Sequence, residues 1–362
     1  MARGSRASSI APVRWRDGVH LTGTPIWCDA RRRRDVCFVS SADRVGRAGH
    51  GQLVGSPLTL ALLDARDGGH LAVPLRRRFT LGTLRLELIA SGRGPGAAAL
   101  HVDVGGRSVL YAGPVRTEVP GLHAPGSGEA ARARQIWARE ALAEPAGVRT
   151  CDAVAVAAPY GEERHRFPPL ADAIAQTLAW TRAQLAAGRH AVLFVDTALD
   201  ALEVAACLGA EGVPLAGDRG ARDLARRAAG LWAGTAAAPP PPTPGGAGPH
   251  LAPHLAAPGK EPRAIVWRDG DRDGAARALG DRPRAAALVS GRALDGPGGA
   301  DAGFAWASAA GRAELLAWIE STAAREVFVT GPCAEAIVAA LGPRARVVGP
   351  PRQMTLFEAA AR

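Results

Sequence analysis

Short apolar runs separated by turn residues fill the chain up to about residue 160, a pattern typical of β-strands. The predicted strands are Asp35–Ser40, Thr80–Ala90, Ala99–Val104, Ser108–Ala112 and Ala153–Ala158. Gly105-Gly106 separates two of these runs and predicts a hairpin. Helices are predicted over Pro57–Leu63 and Ala130–Ala143.

The hydrophobic pattern changes after Leu170, where apolar residues recur at three-to-four-residue intervals over Ala171–Ala187 and predict a helix. His190–Asp196 is then a buried strand and Ala198–Leu208 another helix, and this alternation indicates an α/β unit with parallel strands. The later predicted elements are the strands Arg263–Trp267, Ala285–Ser290 and Glu326–Thr330 and the helices Arg312–Ser321 and Ala334–Leu341. Ala236–Pro262 is rich in proline and predicts a loop or linker.

Composition places the chain among ordinary globular proteins, because 47% of its 362 residues are hydrophobic and 22% are charged. No apolar stretch is long enough to predict a membrane span, so no membrane partner is expected. The first residues lack the apolar segment of a secretory leader, and a cytoplasmic location is therefore expected. The five cysteines include no Cys-x-x-Cys pair, and their odd number argues against a disulfide framework.

The chain is strongly basic, with a formal net charge of +10 that comes almost entirely from arginine. Lys260 is the only lysine and lies in the proline-rich segment, which argues against a lysine nucleophile or a P-loop lysine. A basic surface favours a polyanionic partner such as nucleic acid. The same excess of arginine, alanine and glycine also fits a coding sequence rich in G and C, so both explanations stay open.

Five fragments in the same order resemble one protein family. They are CDARRRRDVCFVS (Cys28–Ser40), LIASGRGPGAAALHVDVGGRSVLYAG (Leu88–Gly113), CDAVAVAAPYGEERHRFPP (Cys151–Pro169), FAWASAAGRAELLAWIESTAAREVFVTG (Phe304–Gly331) and PPRQMTLF (Pro350–Phe357). Together they resemble the β-CASP branch of the metallo-β-lactamase superfamily, notably ligase-associated DNA exonucleases and RNA 3′-end-processing nucleases. The resemblance implies a metallo-β-lactamase αβ/βα sandwich over residues 1–163 and 300–362. A small α/β, β-CASP-like domain would be inserted over residues 164–299.

Active members of that family hold two zinc ions, and the resemblance places their first ligand loop, His-x-His-x-Asp-His, after Ser40. In one register two residues are deleted, Asp43 keeps the family aspartate, and Arg44 replaces the last histidine. In the other, Asp43 lies at the second histidine position and Val45 and Gly46 replace the last two ligands. The first register is preferred, but neither leaves a histidine.

The other ligand positions are also substituted. They correspond to Ser41, Arg93, Pro114, Ala157, Ala309 and Gly331. Proline, alanine and glycine have no side-chain donor, so the zinc that the family implies is not expected to bind, and neither metal nor cofactor is predicted. Only Asp29, which matches an early family aspartate, and Asp43 persist.

If the fold is kept, Asp29, Asp43, Arg44 and Arg93 should meet where the metals would lie. Two carboxylates buried without a cation repel each other, and two guanidiniums restore the charge balance. An Asp–Arg network replacing the zinc cluster is one interpretation. The other is that Arg44 and Arg93 bind a phosphate group, for which the guanidinium fork is suited.

The first functional hypothesis is a catalytically degenerate relative that binds nucleic acid or a protein partner in DNA repair or RNA processing. The candidate nucleic-acid contacts are Arg31, Arg32, Arg33, Arg34, Arg44, Arg93, His165 and Arg166. By analogy, the protein partner would be an active β-CASP paralogue, a DNA ligase or a helicase. The alternative is an active metal-dependent phosphodiesterase or exonuclease with a rearranged site. That site would use Asp29, Asp43, Asp196 or His165.

Overall fold

The computed structural model describes residues 11–44, 49–65, 68–121, 143–232 and 255–350. The strands are β1 (Val13–Trp15), β2 (Val19–Leu21), β3 (Ile26–Cys28), β4 (Val36–Phe38), β5 (Gln52–Gly55), β6 (Leu71–Ala72), β7 (Arg78–Leu81), β8 (Leu84–Ala90), β9 (Ala98–Val104), β10 (Arg107–Pro114), β11 (Ala153–Ala157), β12 (His190–Val195), β13 (Leu215–Gly217), β14 (Ala264–Arg268), β15 (Arg284–Val289), β16 (Ala302–Phe304), β17 (Glu326–Thr330) and β18 (Ala345–Val347). The α-helices are α1 (Pro57–Leu62), α2 (Leu170–Ala186), α3 (Ala198–Ala210), α4 (Arg219–Trp232), α5 (Arg272–Leu279), α6 (Arg312–Ser321) and α7 (Ala334–Leu341).

Two mixed sheets pack face to face. The first has the order β1-β2-β3-β4-β5-β6, and the second has the order β18-β17-β11-β10-β9-β8-β7. Residues that alternate along the strands fill the space between them, with Leu21 and Phe38 from the first sheet packed against Leu100 and Phe328 from the second. This period of two is why each strand buries one set of side chains and turns the other set outward.

Helices cover the outer faces of both sheets. Helix α1 packs on the first sheet, where Leu60 and the outward-facing Cys37 belong to the same buried cluster. Helices α6 and α7 cover the second sheet, where Ile319 and Ile337 pack around Val329. The resulting order of layers is helix, sheet, sheet, helix, and buried apolar side chains lie between each pair of layers.

The third sheet has five parallel strands in the order β13-β14-β12-β15-β16. Helices α2, α3 and α4 pack on one face, where Leu193 and Leu202 belong to the same core cluster. Helix α5 packs on the other face through Leu279, which contacts the cluster around Ile265. Three of its strands, β12, β14 and β15, were predicted from the alternating helix and strand pattern, whereas β13 and β16 were not.

The predicted α/β class is confirmed, and most of the predicted elements are present within a few residues. The single strand predicted over Thr80–Ala90 is wrong, because the chain turns at Gly82 (φ 62°) and forms the two strands of a hairpin. The helix predicted over Ala130–Ala143 lies, except for its last residue, outside the described residues. Of the predicted proline-rich loop, only residues 255–262 are described, and they contribute one isolated bridge, Ala216 to Ala256. None of the described helices combines the length and the apolar character that crossing a membrane requires.

Candidate functional site

Most of the positions that the resemblance singled out, both the substituted ones and the two retained aspartates, lie at the carboxyl ends of strands. Asp29 follows β3, Ser41 and Asp43 follow β4, Arg93 follows β8, Pro114 and Ala157 end β10 and β11, and Gly331 follows β17. A hydrogen bond from the Ala98 amide to the Ser40 carbonyl (2.8 Å) joins the two sheets at this edge. Tertiary structure therefore brings together residues that are far apart in the sequence.

Asp29 is held by three donors at this edge. Its carboxylate accepts hydrogen bonds from the Ser40 amide (2.8 Å), the Ser40 hydroxyl (2.6 Å) and the Tyr111 hydroxyl (2.8 Å). Gly113 approaches closely, since a Cβ atom there would lie 2.7 Å from the Ser40 Oγ. Burial raises the pKa of the Asp29 carboxyl, although the Arg44 charge and these hydrogen bonds oppose the rise.

Arg93 is the centre of a second cluster, in which its guanidinium bridges two carboxylates. Nη2 donates to Asp43 Oδ2 at 2.7 Å, and Nη1 donates to Asp200 Oδ1 at 2.6 Å. The three side chains are 8%, 11% and 12% exposed, respectively. A nearly buried cation therefore links the two packed sheets (the sandwich), next to which Asp43 lies, to helix α3, which holds Asp200.

Asp200 is a member of the cluster that the sequence analysis missed. It lies in the first turn of α3 and forms a capping box with Thr197, whose hydroxyl accepts from the Asp200 amide. The Thr-x-x-Asp spacing before an apolar run is a helix-start signal that was readable in the sequence. The sequence did not reveal the pairing of Asp200 with Arg93, because 107 residues separate the two.

The three charges do not cancel, because two carboxylates share one guanidinium. Burial alone would raise the pKa of the Asp43 carboxyl, but Arg93 and the hydroxyl of Ser41 hold it below its usual range. Burial raises the pKa of the Asp200 carboxyl, and Arg93 offsets this only in part. The cluster thus carries one negative charge in excess when both carboxyls are ionised.

These opposite shifts predict opposite pH dependences for two matched variants. Ionised Asp43 contributes stability that is lost as pH falls below about 4, so the cost of Asp43→Asn should shrink toward acid pH. Ionisation of Asp200 costs stability as pH rises above about 4, so Asp200→Asn should improve relative to the wild type as pH rises. Urea unfolding from about pH 3 to pH 8 measures both slopes. If the stability of both variants relative to the wild type changed with pH in the same direction and by the same amount, Arg93 would not stabilise the two carboxylates unequally, and this prediction would be contradicted.

A second buried ion pair lies beside the cluster and was also missed. The Arg116 guanidinium donates to both carboxylate oxygens of Glu203, one of them at 2.8 Å, and the Arg116 Nε donates to the Gly92 carbonyl at 2.9 Å. Trp306 Nε1 donates to Glu203 Oε1 at 3.0 Å. Burial would raise the pKa of Glu203, but Arg116 and Trp306 hold it below its usual range.

The predicted meeting of Asp29, Asp43, Arg44 and Arg93 is realised only in part. Asp43 and Arg93 are in contact, whereas Asp29 has its own partners, Ser40 and Tyr111. Arg44 is exposed and acts on both carboxyls through its charge. Because Arg93 is buried and donates to two carboxylates, the geometry favours an ion-pair network over phosphate binding by this arginine.

The four consecutive arginines Arg31–Arg34, the arginine tract, lie elsewhere, on the outer face of the first sheet. The Arg34 guanidinium stacks over the Trp27 ring at 3.9 Å, and Arg32 pairs with Asp17 at 3.3 Å. Arg31 and Arg33 are exposed. The tract is therefore a surface feature separate from the buried cluster.

His165 and Asp196, proposed for the alternative active site, are both held by other residues. The His165 Nδ1 accepts from the amides of Gly161 and Glu162, both at 3.1 Å, and burial lowers the pKa of its ring. Asp196 accepts from the Ser290 hydroxyl at 2.6 Å and from the Arg292 guanidinium at 2.6 Å. Arg166, next to His165, is exposed.

The described residues at this edge do not offer the donor set that a pair of zinc ions requires. Among the described residues, no group of three or more His, Cys, Asp or Glu side chains is arranged to hold a metal ion. The carboxylates that are present accept from Arg93, Ser40 and Tyr111, and a cation already lies between two of them. Ala309, whose neighbour Ala310 donates to the Val115 carbonyl, offers no side-chain donor.

Comparisons with known proteins add one finding about the fold. Neither the models of known protein families nor the curated proteins contain a match. A solved structure of a protein of unknown function from Enterococcus faecalis V583 is similar, with a TM-score of 0.50 and 11% sequence identity. The similarity covers 87% of this chain and 79% of the other. At this identity the likeness concerns the fold alone.

Proposed function

We propose that this protein is a catalytically degenerate relative of the β-CASP nucleases that binds single-stranded nucleic acid without cleaving it. The observation that carries the proposal is the Arg93 bridge between Asp43 and Asp200, with 2.7 Å and 2.6 Å hydrogen bonds. A guanidinium between two carboxylates supplies the positive charge that metal ions would supply in an active relative. It cannot activate a water molecule, because arginine has no vacant coordination position.

The arrangement of layers supports the family assignment in this proposal. Two face-to-face sheets flanked by helices, together with a separate parallel sheet, are what the resemblance implies. The substituted ligand positions also lie at one edge of the paired sheets, where such a site would be built. Both features support a retained scaffold whose metal chemistry has been replaced by an ion-pair network.

Nucleic-acid binding rests on the charge of the surface. The formal charge is +10, and Arg31, Arg32, Arg33 and Arg166 are exposed. Exposed guanidiniums bind backbone phosphates without reading sequence, and the release of counterions makes such binding weaken with salt. We therefore assign these arginines, and not the buried Arg93, to the phosphate contacts.

We expect labelled single-stranded DNA or RNA to bind with an affinity that falls as salt rises, measured by fluorescence anisotropy. The triple variant Arg31→Ala/Arg32→Ala/Arg33→Ala should lower the slope of log affinity against log salt by about 2, since each lost phosphate contact accounts for about 0.7. No cleavage is expected with manganese or zinc added.

The matched control removes three other exposed arginines, in the variant Arg189→Ala/Arg277→Ala/Arg284→Ala. It changes net charge equally, so a similar loss of slope in both variants would show that only overall charge matters and would contradict the assigned surface. Metal-dependent cleavage that disappears in Asp29→Asn or Asp43→Asn would overturn the degenerate site and favour an active nuclease.

A further inference from the structure

A cavity of about 550 Å³ lies between helix α4 and the end of α1, away from the Arg93 cluster. The described residues that line it are Asp64, Arg219, Arg222, Asp223, Arg226 and Arg227. Among these described residues, four guanidiniums against two carboxylates give an excess of two positive charges. All six carry charged side chains, unlike the largely apolar lining of most small-molecule pockets.

The sequence of α4 explains why its arginines share one side. Arg219, Arg222, Arg226 and Arg227 follow one another at intervals of three, four and one residues, so they lie along one face of the helix. The opposite face carries small apolar residues, among them Ala221, which belongs to the core against the third sheet. The helix is thereby fixed with its arginine face toward the cavity.

The described ion pairs around the cavity involve Arg219, Arg226 and Arg227. Asp223 pairs with both Arg219 (3.9 Å) and Arg226. Arg227 donates to the Leu62 carbonyl at 2.9 Å and pairs with Asp64 at 3.7 Å. Within the described part of the chain, the Arg222 Nε is buried without a hydrogen-bond partner. A buried N–H of a cation without an acceptor is costly. Arg222 also lines the cavity, so an anion there would lie beside a guanidinium whose hydrogen bonds are incomplete.

We propose that this cavity binds phosphate groups, with Arg222 and Arg226 as the principal ligands. Phosphate oxygens match the guanidinium fork, and a compact dianion or larger matches the excess charge. The described lining includes neither an aromatic ring nor a large apolar side chain, so the described residues favour the phosphate group itself over a base or a lipid tail. The inference is independent of the proposed function, because it concerns another surface and its ligand need not be nucleic acid.

Isothermal titration calorimetry of the full chain with inorganic pyrophosphate tests the site, at constant ionic strength and with sulfate as the competing anion. Binding is expected for the wild type, and Arg222→Gln and Arg226→Gln should each weaken it by about tenfold. Arg277→Gln removes another exposed charge, from α5, and should leave pyrophosphate binding unchanged. Because Arg226 is 75% exposed, its variant should fold normally, which circular dichroism verifies.

The absence of pyrophosphate binding would overturn the proposal, as would equal weakening by Arg226→Gln and Arg277→Gln. A second experiment separates two sources of the phosphate. In the first case, pyrophosphate displaces bound single-stranded DNA from the wild type but not from Arg226→Gln. The cavity then binds the backbone phosphates of nucleic acid. If pyrophosphate binds while the DNA remains bound, the cavity takes a free phosphate compound. The first titration contains no nucleic acid, so its result stands whether or not nucleic-acid binding is found.

Discussion

Replacement of Arg93 by alanine should lower the free energy of unfolding by about 3 to 5 kcal/mol, because it leaves two buried carboxylates without their shared cation. Asp43 and Asp200 accept from Arg93 at 2.7 Å and 2.6 Å, and neither side chain is more than 12% exposed. Urea unfolding at neutral pH measures the loss. The effect should be largest there, where both carboxyls are ionised.

Two controls define this result. Arg189→Ala removes an exposed arginine and should change stability by less than about 0.5 kcal/mol. Arg93→Lys keeps the charge but presents its three donors on one nitrogen, whereas Arg93 reaches the two carboxylates with two separate nitrogens. The variant should therefore lie between the wild type and Arg93→Ala. A loss for Arg93→Ala no greater than that for Arg189→Ala would refute the role of Arg93 as the bridge between the sandwich and α3.

Glu203→Leu should also lower the free energy of unfolding by about 3 to 5 kcal/mol, since it leaves the Arg116 guanidinium buried and unpaired. Arg116 and Glu203 are 3% and 4% exposed, the most buried ion pair among the described residues. Adding Arg116→Met should recover part of the loss, because a well-packed apolar pair can replace a buried ion pair. Recovery should stay incomplete, because Trp306 Nε1 and the Gly92 carbonyl lose their partners.

A double-mutant cycle measures the coupling of Arg116 and Glu203 directly. The exposed pair Arg182 and Glu211, 3.2 Å apart, is the matched comparison and should couple by no more than about 1 kcal/mol. The buried pair should couple more strongly than that. Coupling energies of the same size in the two cycles would mean that the buried pair does not hold helix α3 against the sandwich.

Local pattern was enough to place most helices and long strands. Runs such as Ala153–Ala157 and His190–Val195 are continuous and apolar, so their burial in a parallel sheet could be predicted. The strands β1, β2 and β3 could not be predicted, because each has only three residues and, unlike β4, none lies in a longer apolar run. Helix α4 was missed for another reason, since its arginines conceal the small alanines that it buries.

The candidate site was predictable as a set of positions but not as a set of contacts. The resemblance singled out Asp43 and Arg93, and the structure joins them. It also suggested Asp29 as a member of the same network, whereas Asp29 pairs with Ser40 and Tyr111. Which carboxylate a guanidinium binds depends on side-chain directions at the ends of strands, and spacing along a chain does not encode them.

The sequence by itself determined the α/β class, the order of most elements and the absence of imidazole from the positions that the resemblance aligns with metal ligands. These follow from residue type and local periodicity, which act over a few neighbouring positions. Only the tertiary structure decided that Arg93 binds Asp200, that Arg116 binds Glu203, and that the arginines of α4 face a cavity. Those pairings join residues that lie as much as 107 positions apart. They exist because packing of the third sheet and its helices against the sandwich removes their charges from water, where each charge must find a partner.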